Sequence, residues 1–476
     1  MCYGFNMELL INILRFWVVL FLTSAYAWGS VPATTVNIFQ QAIPDCDEYL
    51  QELRENDFVY DWLTVPESFG NQQIKVFYYY RAPLLNNVVL FHNGGPASDS
   101  HGSYGIFDDK LKQYNLGEKI SFVFMDQRGT GCSSPYPQGS TPEILKRLQA
   151  YGSRNIVEDS EALRKVLLGE NKPWKVFGQS FGAYIVHRYA AMYPESLVKA
   201  YAHAGTIISD PIQRLAMRIF SQHRVLNVYL KKYPKDIPLI HTLNLALSDS
   251  TYCVENLDHK LICGHAIIEP LISLLAFSQK WARLHDLLNS MVRISPLTNT
   301  YSLSKKDLIS FVNKYKSREV LNSVSASNQS PAAWAIAILN AYDRNVISPE
   351  FESCTLAHQM IKKNYQVSPN QILLSECLVP LQFKIFSEHN AVANSVISGK
   401  QDFLTLPDFK IGLTKMTPGS FRLYSGERDC FVPRESFAEE LTAAGSLLTA
   451  THFEFSGHEG FATEAQIWSD LADESL

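Results

Sequence analysis

The chain has 476 residues, 46% of them hydrophobic and 19% charged, which allows two or three domains or one large domain with an insertion. That balance supports a sizeable buried core and excludes a disordered chain. A net charge of −5, a pI near 6.2 and the lack of any basic run give no footing for nucleic acid.

At the N-terminus, Arg15 precedes the apolar run from Phe16 to Leu22, and Thr23-Ser24-Ala25-Tyr26-Ala27 ends in a small-x-small pattern. This order predicts a secretory signal over residues 1–27, cut after Ala27, and a periplasmic or secreted mature protein. An uncleaved anchor is the alternative, because Leu9 to Leu22 stretches the apolar segment towards spanning length. No later segment is that apolar, so no stable membrane insertion is expected after cleavage. Export permits disulfides. Of eight cysteines, Cys253 and Cys263 bracket a short polar loop and are the first candidate pair, with Cys354 and Cys377 next. Without Cys2 the count is odd, which implies a free thiol. No C-x-x-C or H-E-x-x-H spacing occurs, so neither a metal nor another cofactor is expected.

Further along, Phe58-Val59-Tyr60 and Gln73 to Tyr80 read as an opening pair of strands. Asn87 to Phe91 and Ile120 to Met125 are short apolar runs, hence buried strands. From Ile156 to Leu167 apolar residues recur at helical spacing, with Gly169 as the stop. A strand over Trp174 to Phe177, a helix from Phe181 to about Tyr193 and a strand from Val198 to His203 follow. Such alternation predicts a mostly parallel α/β sheet with helices on both faces. Near Asp210 the pattern turns helical for about 200 residues, through Ile219 to Leu230, Ile267 to Leu288, Lys306 to Val312 and Ala332 to Leu339. Phe421 to Tyr424 then restores a strand, Glu435 to Leu441 a helix, Leu447 to Phe455 a strand and Gly460 to Leu471 a last helix. The simplest architecture is one sheet domain, residues 28–209 and 418–476, interrupted by a helical cap over 210–417.

Gly178-Gln179-Ser180-Phe181-Gly182 stands where strand turns into helix, the setting in which G-x-S-x-G exposes a nucleophilic serine. The two glycines let strand and helix pass closely, and the helix N-terminus favours negative charge near Ser180. A serine nucleophile needs a base, and the base needs an acid to hold its tautomer. The strand ending at Tyr424 runs into Glu427 and Asp429, and the last strand into Gly457-His458, both at the carboxyl edge of the sheet. Ser180, Asp429 and His458 are the expected triad, with Glu427 as the alternative acid. His452, inside the last strand, reads as structural. For an oxyanion hole, the N–H of Phe181 and that of Gly95, in His92-Asn93-Gly94-Gly95-Pro96, are the candidate donors.

Asp126-Gln127-Arg128-Gly129-Thr130-Gly131-Cys132-Ser133 completes the set. With Asn93-Gly94-Gly95-Pro96, the elbow, Gly426-x-x-Asp429 and Gly457-His458, it resembles the proline iminopeptidase family of α/β-hydrolases, peptidase family S33. The resemblance covers roughly residues 55–205 and 420–460 and does not extend visibly through the cap. It implies the α/β-hydrolase fold with an inserted helical cap. It also implies a serine aminopeptidase that releases an N-terminal residue, proline or another, through an acyl-enzyme. Two motifs depart: Asn93 and Ala97 stand where the family has His and Gly, and Gln179 and Phe181 where prolyl-specific members have Gly and Trp. Asp126 and Arg128 read as a buried pair bracing the loops behind the oxyanion hole. An aminopeptidase must also bind a free α-ammonium, for which Asp343, Glu350, Glu352 and Glu376 of the cap are candidates. The expected partner is a peptide or small acyl substrate. A secreted carboxylesterase or lipase with the same triad is the alternative, and needs no ammonium-binding acid.

Overall fold

The computed structural model describes residues 46–67, 72–95, 98–136, 147, 149–207, 211–247, 253–255, 261–263, 269–294, 301–316 and 404–473. Their strands are β1 (Val59–Pro66), β2 (Gln73–Tyr80), β3 (Val88–His92), β4 (Ser121–Met125), β5 (Trp174–Gln179), β6 (Leu197–His203), β7 (Cys253–Glu255), β8 (Leu261–Cys263), β9 (Val292–Ile294), β10 (Tyr301–Leu303), β11 (Phe421–Gly426) and β12 (Leu448–Phe453). Eight of them form one sheet in the order β1-β2-β4-β3-β5-β6-β11-β12. The first two are antiparallel, and β2 joins β4 antiparallel. From β4 to β12 every neighbour is parallel. This is the mostly parallel sheet that the strand–helix alternation predicts.

The helices are α1 (Cys46–Glu55), α2 (Ser103–Gln113), α3 (Ser153–Leu168), α4 (Phe181–Met192), α5 (Pro211–Lys232), α6 (Ile237–Leu247), α7 (Glu269–Ala276), α8 (Trp281–Met291), α9 (Lys305–Lys316), α10 (Leu406–Leu413), α11 (Ala438–Ala444), α12 (Gly460–Thr463) and α13 (Ala465–Ala472). Strand residues alternate between two cores, as a two-residue period requires. Val88, Leu90, Val176, Ala200 and Leu423 meet Ile156 and Leu163 of α3 and Ile185 and Val186 of α4. Val89, Phe91, Phe177, Tyr201 and Tyr424 meet Leu53 of α1, Phe107 of α2 and Trp468 of α13. Burial on both faces is why these strands are apolar throughout. No helix among the described residues is long and apolar enough to cross a membrane.

Between β6 and β11, helices α5 to α9 pack on a cluster of their own, with Leu226, Tyr229, Leu239, Leu274, Trp281, Leu288 and Phe311 buried in it. Two apolar runs that read as single helices are each divided. Ile267 to Leu288 breaks into α7 and α8 at a turn where the Lys280 N–H returns to the Phe277 carbonyl at 2.8 Å. Gly460 to Leu471 breaks at Glu464. The cap boundary also moves. Leu404, Phe409, Leu413 and Met416 lie within the expected cap but are buried in the sheet's core with α4. Leu404 donates its N–H to the Tyr184 hydroxyl at 3.1 Å. Residues 404–416 therefore pack with the sheet.

Cys46 and Cys132 are joined in a disulfide, a pair that sequence spacing did not suggest. Cys253 is disulfide-bonded and stands opposite Cys263 in the β7–β8 ladder. Cys430 is buried. Cys354, Cys377, the helix read over Ala332 to Leu339 and the signal segment lie outside the described residues.

Candidate active site

Ser180 caps α4 with φ 56° and ψ −117°, a left-handed backbone that costs a non-glycine residue about 1–3 kcal/mol. Its surroundings hold it there. The Ser180 N–H donates to the His203 carbonyl at 2.9 Å, and its carbonyl accepts the Ala183 N–H at 3.0 Å. A Cβ on Gly178 would lie 2.1 Å from the Gly182 carbonyl oxygen, and one on Gly182 only 2.0 Å from that of His92. One on Gly205 would lie 2.2 Å from the Ser180 oxygen. The chain therefore turns sharply through Ser180, which remains partly exposed at the end of the strand.

The candidate acid and base follow the ends of β11 and β12. His458 Nδ1 lies 2.8 Å from Asp429 Oδ2. Asp429 is fully buried, and its Oδ1 accepts the N–H groups of Phe431 at 2.8 Å and Val432 at 2.9 Å. Gln179, beside the nucleophile, donates to the His458 carbonyl at 3.3 Å, which ties the elbow to the histidine loop. Phe431 and Phe277 flank the His458 ring at centroid distances of 5.2 and 6.3 Å.

Glu427 is engaged elsewhere. His452 Nε2 lies 2.8 Å from its Oε2, Arg434 pairs with it at 3.1 Å, and Arg224 of α5 contacts its other oxygen. His452 also lies 3.0 Å from Ser425 Oγ, in keeping with a structural histidine inside a strand.

Gly95 adopts φ 111°, which favours glycine, and is exposed. Gly94 instead gives its N–H to Asn93 Oδ1 at 2.8 Å. Phe181 is the first residue of α4, where a helix has no internal acceptor for the N–H. Behind this loop, Gln127 reaches the Asn93 carbonyl at 3.3 Å. Asp126 and Arg128 are both buried, as expected, and each is held by its own partners. Asp126 accepts the N–H and Oγ of Ser100 at 2.7 and 2.6 Å and the Cys132 N–H at 2.9 Å. Arg128 pairs with Asp159 at 2.7 Å and donates to the Ala150 carbonyl at 2.8 Å. Burial, and then Asp99, pushes the Asp126 carboxyl up to about 6.

Two buried groups beside the triad were not legible as site residues. His203, at the end of β6, has no hydrogen-bond partner on either ring nitrogen. Burial, and then His458, pushes it down to about 3, so it is neutral. Glu459 follows His458 and is 4% exposed. Position at a strand end, or next to the base, was the only available signal, and burial is not written in the sequence. The four candidate ammonium-binding acids lie outside the described residues.

Residues 87–226 match the family described as alpha/beta hydrolase fold. A proline iminopeptidase (aneH) of Aspergillus aculeatus is 34% identical over 127 residues, covering 24% of this chain and 28% of that protein. A proline iminopeptidase of Aeromonas sobria is 32% identical over 140 residues, covering 28% and 31%. The chain thus spans less than a third of the length of these relatives. Among solved structures, the proline iminopeptidase of Mycobacterium smegmatis aligns with a TM-score of 0.40 at 11% identity, over 87% of this chain and 96% of that one. With its eight-stranded sheet, the chain has the α/β-hydrolase fold, and about a quarter of it is similar to proline iminopeptidases.

Proposed function

We propose that the protein is an exported serine aminopeptidase that releases one N-terminal residue from a peptide through an acyl-enzyme. The observation that supports this reading is the strained Ser180 elbow at the end of β5 together with the His458–Asp429 pair at 2.8 Å, Gln179 of the elbow donating to the His458 carbonyl at 3.3 Å. In this scheme Ser180 Oγ attacks the carbonyl carbon and His458 Nε2 takes its proton. The carbonyl oxygen becomes an oxyanion, met by the N–H groups of Phe181 and Gly95. His458 then returns the proton to the leaving amine, which frees the acyl-enzyme for attack by water. Asp429 accepts Nδ1–H, so that Nε2 faces the serine as a base. Similarity to proline iminopeptidases over about a quarter of the chain favours the peptide substrate. Export draws support from the N-terminal apolar run and the Cys46–Cys132 bridge, since such bridges persist in oxidising compartments.

The test is a panel of aminoacyl-naphthylamides beside short acyl nitrophenyl esters. Ser180→Ala should abolish hydrolysis while leaving the circular dichroism spectrum unchanged. Acetylating the substrate's α-amine removes an ion pair, so catalytic efficiency should fall by roughly two or more powers of ten. Equal efficiency on free and acetylated substrates would replace the aminopeptidase with an esterase.

A further inference from the structure

One short turn of the cap grips the histidine loop. The His458 N–H donates at 3.2 Å to the carbonyl of Ala276, the last residue of α7. A Cβ on Gly457 would lie 2.3 Å from that same oxygen. Ser278 Oγ donates to Glu459 Oε1 at 3.2 Å. Between them Phe277 meets the His458 ring edge to face, the planes 89° apart. Residues 276–278 thus meet 457–459 through backbone, ring and side chain together. The α7–α8 break makes this possible, because a continuous helix would commit the Ala276 carbonyl to Lys280.

Glu459 is the anomalous member of this seam. Its Oε2 is buried with no hydrogen-bond partner. Burial raises its carboxyl above the usual range, and the charges acting on it are those of His458, on its own loop, and Asp429, on the acid loop. The cap turn offers it only the neutral Ser278. A buried carboxylate with an idle oxygen costs stability that an apolar side chain would not. Such a group beside a catalytic base is more economically read as functional.

We propose that Glu459 is a positioning residue that, through Ser278, couples the seating of the cap turn to the placement of His458. This rests on the reading of Ser180 and His458 as nucleophile and base. When Glu459 is neutral, the seam holds with one oxygen bonded to Ser278. When it ionises, the idle oxygen carries charge with no donor to meet it, and the seam loosens. The sign follows: a carboxyl raised in the folded protein makes the seam firmest at low pH, and firmness is lost as pH rises through the raised value.

The experiment measures kcat and KM against pH for the full chain, on an aminoacyl-naphthylamide that the wild type hydrolyses. Glu459→Gln keeps the Ser278 bond and cannot ionise. It should match wild-type kcat at the acid end and hold it further to the alkaline side. Ser278→Ala and Glu459→Ala should each lower kcat about tenfold with KM changed less than twofold, as misplacement of a catalytic group does. A Glu459→Gln profile that overlays the wild type, or a kcat left intact in both alanine variants, overturns the proposal. Labelling of Ser180 by a fluorophosphonate separates the two readings. If the wild type neither hydrolyses nor labels, the functional reading falls, and this inference with it. If it does both while the variants stay unchanged, only this inference falls.

Discussion

Asp429 has both oxygens committed, Oδ1 to the N–H groups of Phe431 and Val432 and Oδ2 to His458 Nδ1. An amide cannot satisfy all three donors. If Asn kept its oxygen on the backbone, its NH2 would face Nδ1 and turn the imidazole into the wrong tautomer. Asp429→Asn should therefore lower kcat by about 10⁴ in a folded protein. Glu427→Gln, at a residue occupied by His452, Arg224 and Arg434, should cost less than tenfold. Steady-state kinetics on both variants decides between the two acids, and the reverse order would move the acid to Glu427. These side chains could be placed from sequence because each stands in a short motif beside a strand. Glu459 and His203 could not, because their significance lies in buried atoms with no hydrogen-bond partner, Oε2 of Glu459 and both ring nitrogens of His203, which only packing reveals.

At the scale of elements, the site depends on how closely backbones pass. The α4 helix leaves β5 so sharply that Gly182 sits against the end of β3, with His92 oxygen 2.0 Å from where a Cβ would be. Backbone cannot move aside as a flexible side chain can. Gly182→Ala should destabilise the fold by about 1–3 kcal/mol and lower kcat through displacement of the elbow. Urea unfolding together with kinetics checks this, and an alanine variant of wild-type stability would remove the close approach. Strand positions were legible from short apolar runs because both faces of the sheet are covered. The division of Ile267 to Leu288 was not, because helical periodicity continues through Phe277 to Lys280, while the Ala276 carbonyl accepts the His458 N–H from a distant segment instead of continuing the helix.

For the whole molecule, the Cys46–Cys132 bridge ties α1 to the loop after β4 across 86 residues of chain. A bridge closing so long a loop restricts the unfolded chain, and its loss typically costs about 2–5 kcal/mol. Cys46→Ser with Cys132→Ser should lower the unfolding free energy in urea by that amount, and an unchanged midpoint would show that the bridge does not form. The cap is a second long-range effect. Ser221 of α5 donates to the Asp429 carbonyl at 3.0 Å, and the turn after α7 holds His458, so both partners of Ser180 are steadied from the inserted region.

By itself the sequence determined the parallel sheet, the elbow at Ser180 and the order Ser, Asp, His along the chain. These depend on local patterns: apolar runs of strand length, a glycine-flanked serine, and an acid and a histidine each just past a strand. Tertiary structure alone decided that Asp126 and Arg128 serve separate partners and that residues 404–416 pack on α4. It also decided that Cys46 finds Cys132, and that the cap turn reaches the histidine loop. Each of these is a meeting of segments far apart in the chain. Its energy comes from burial and pairing that no local window of residues contains.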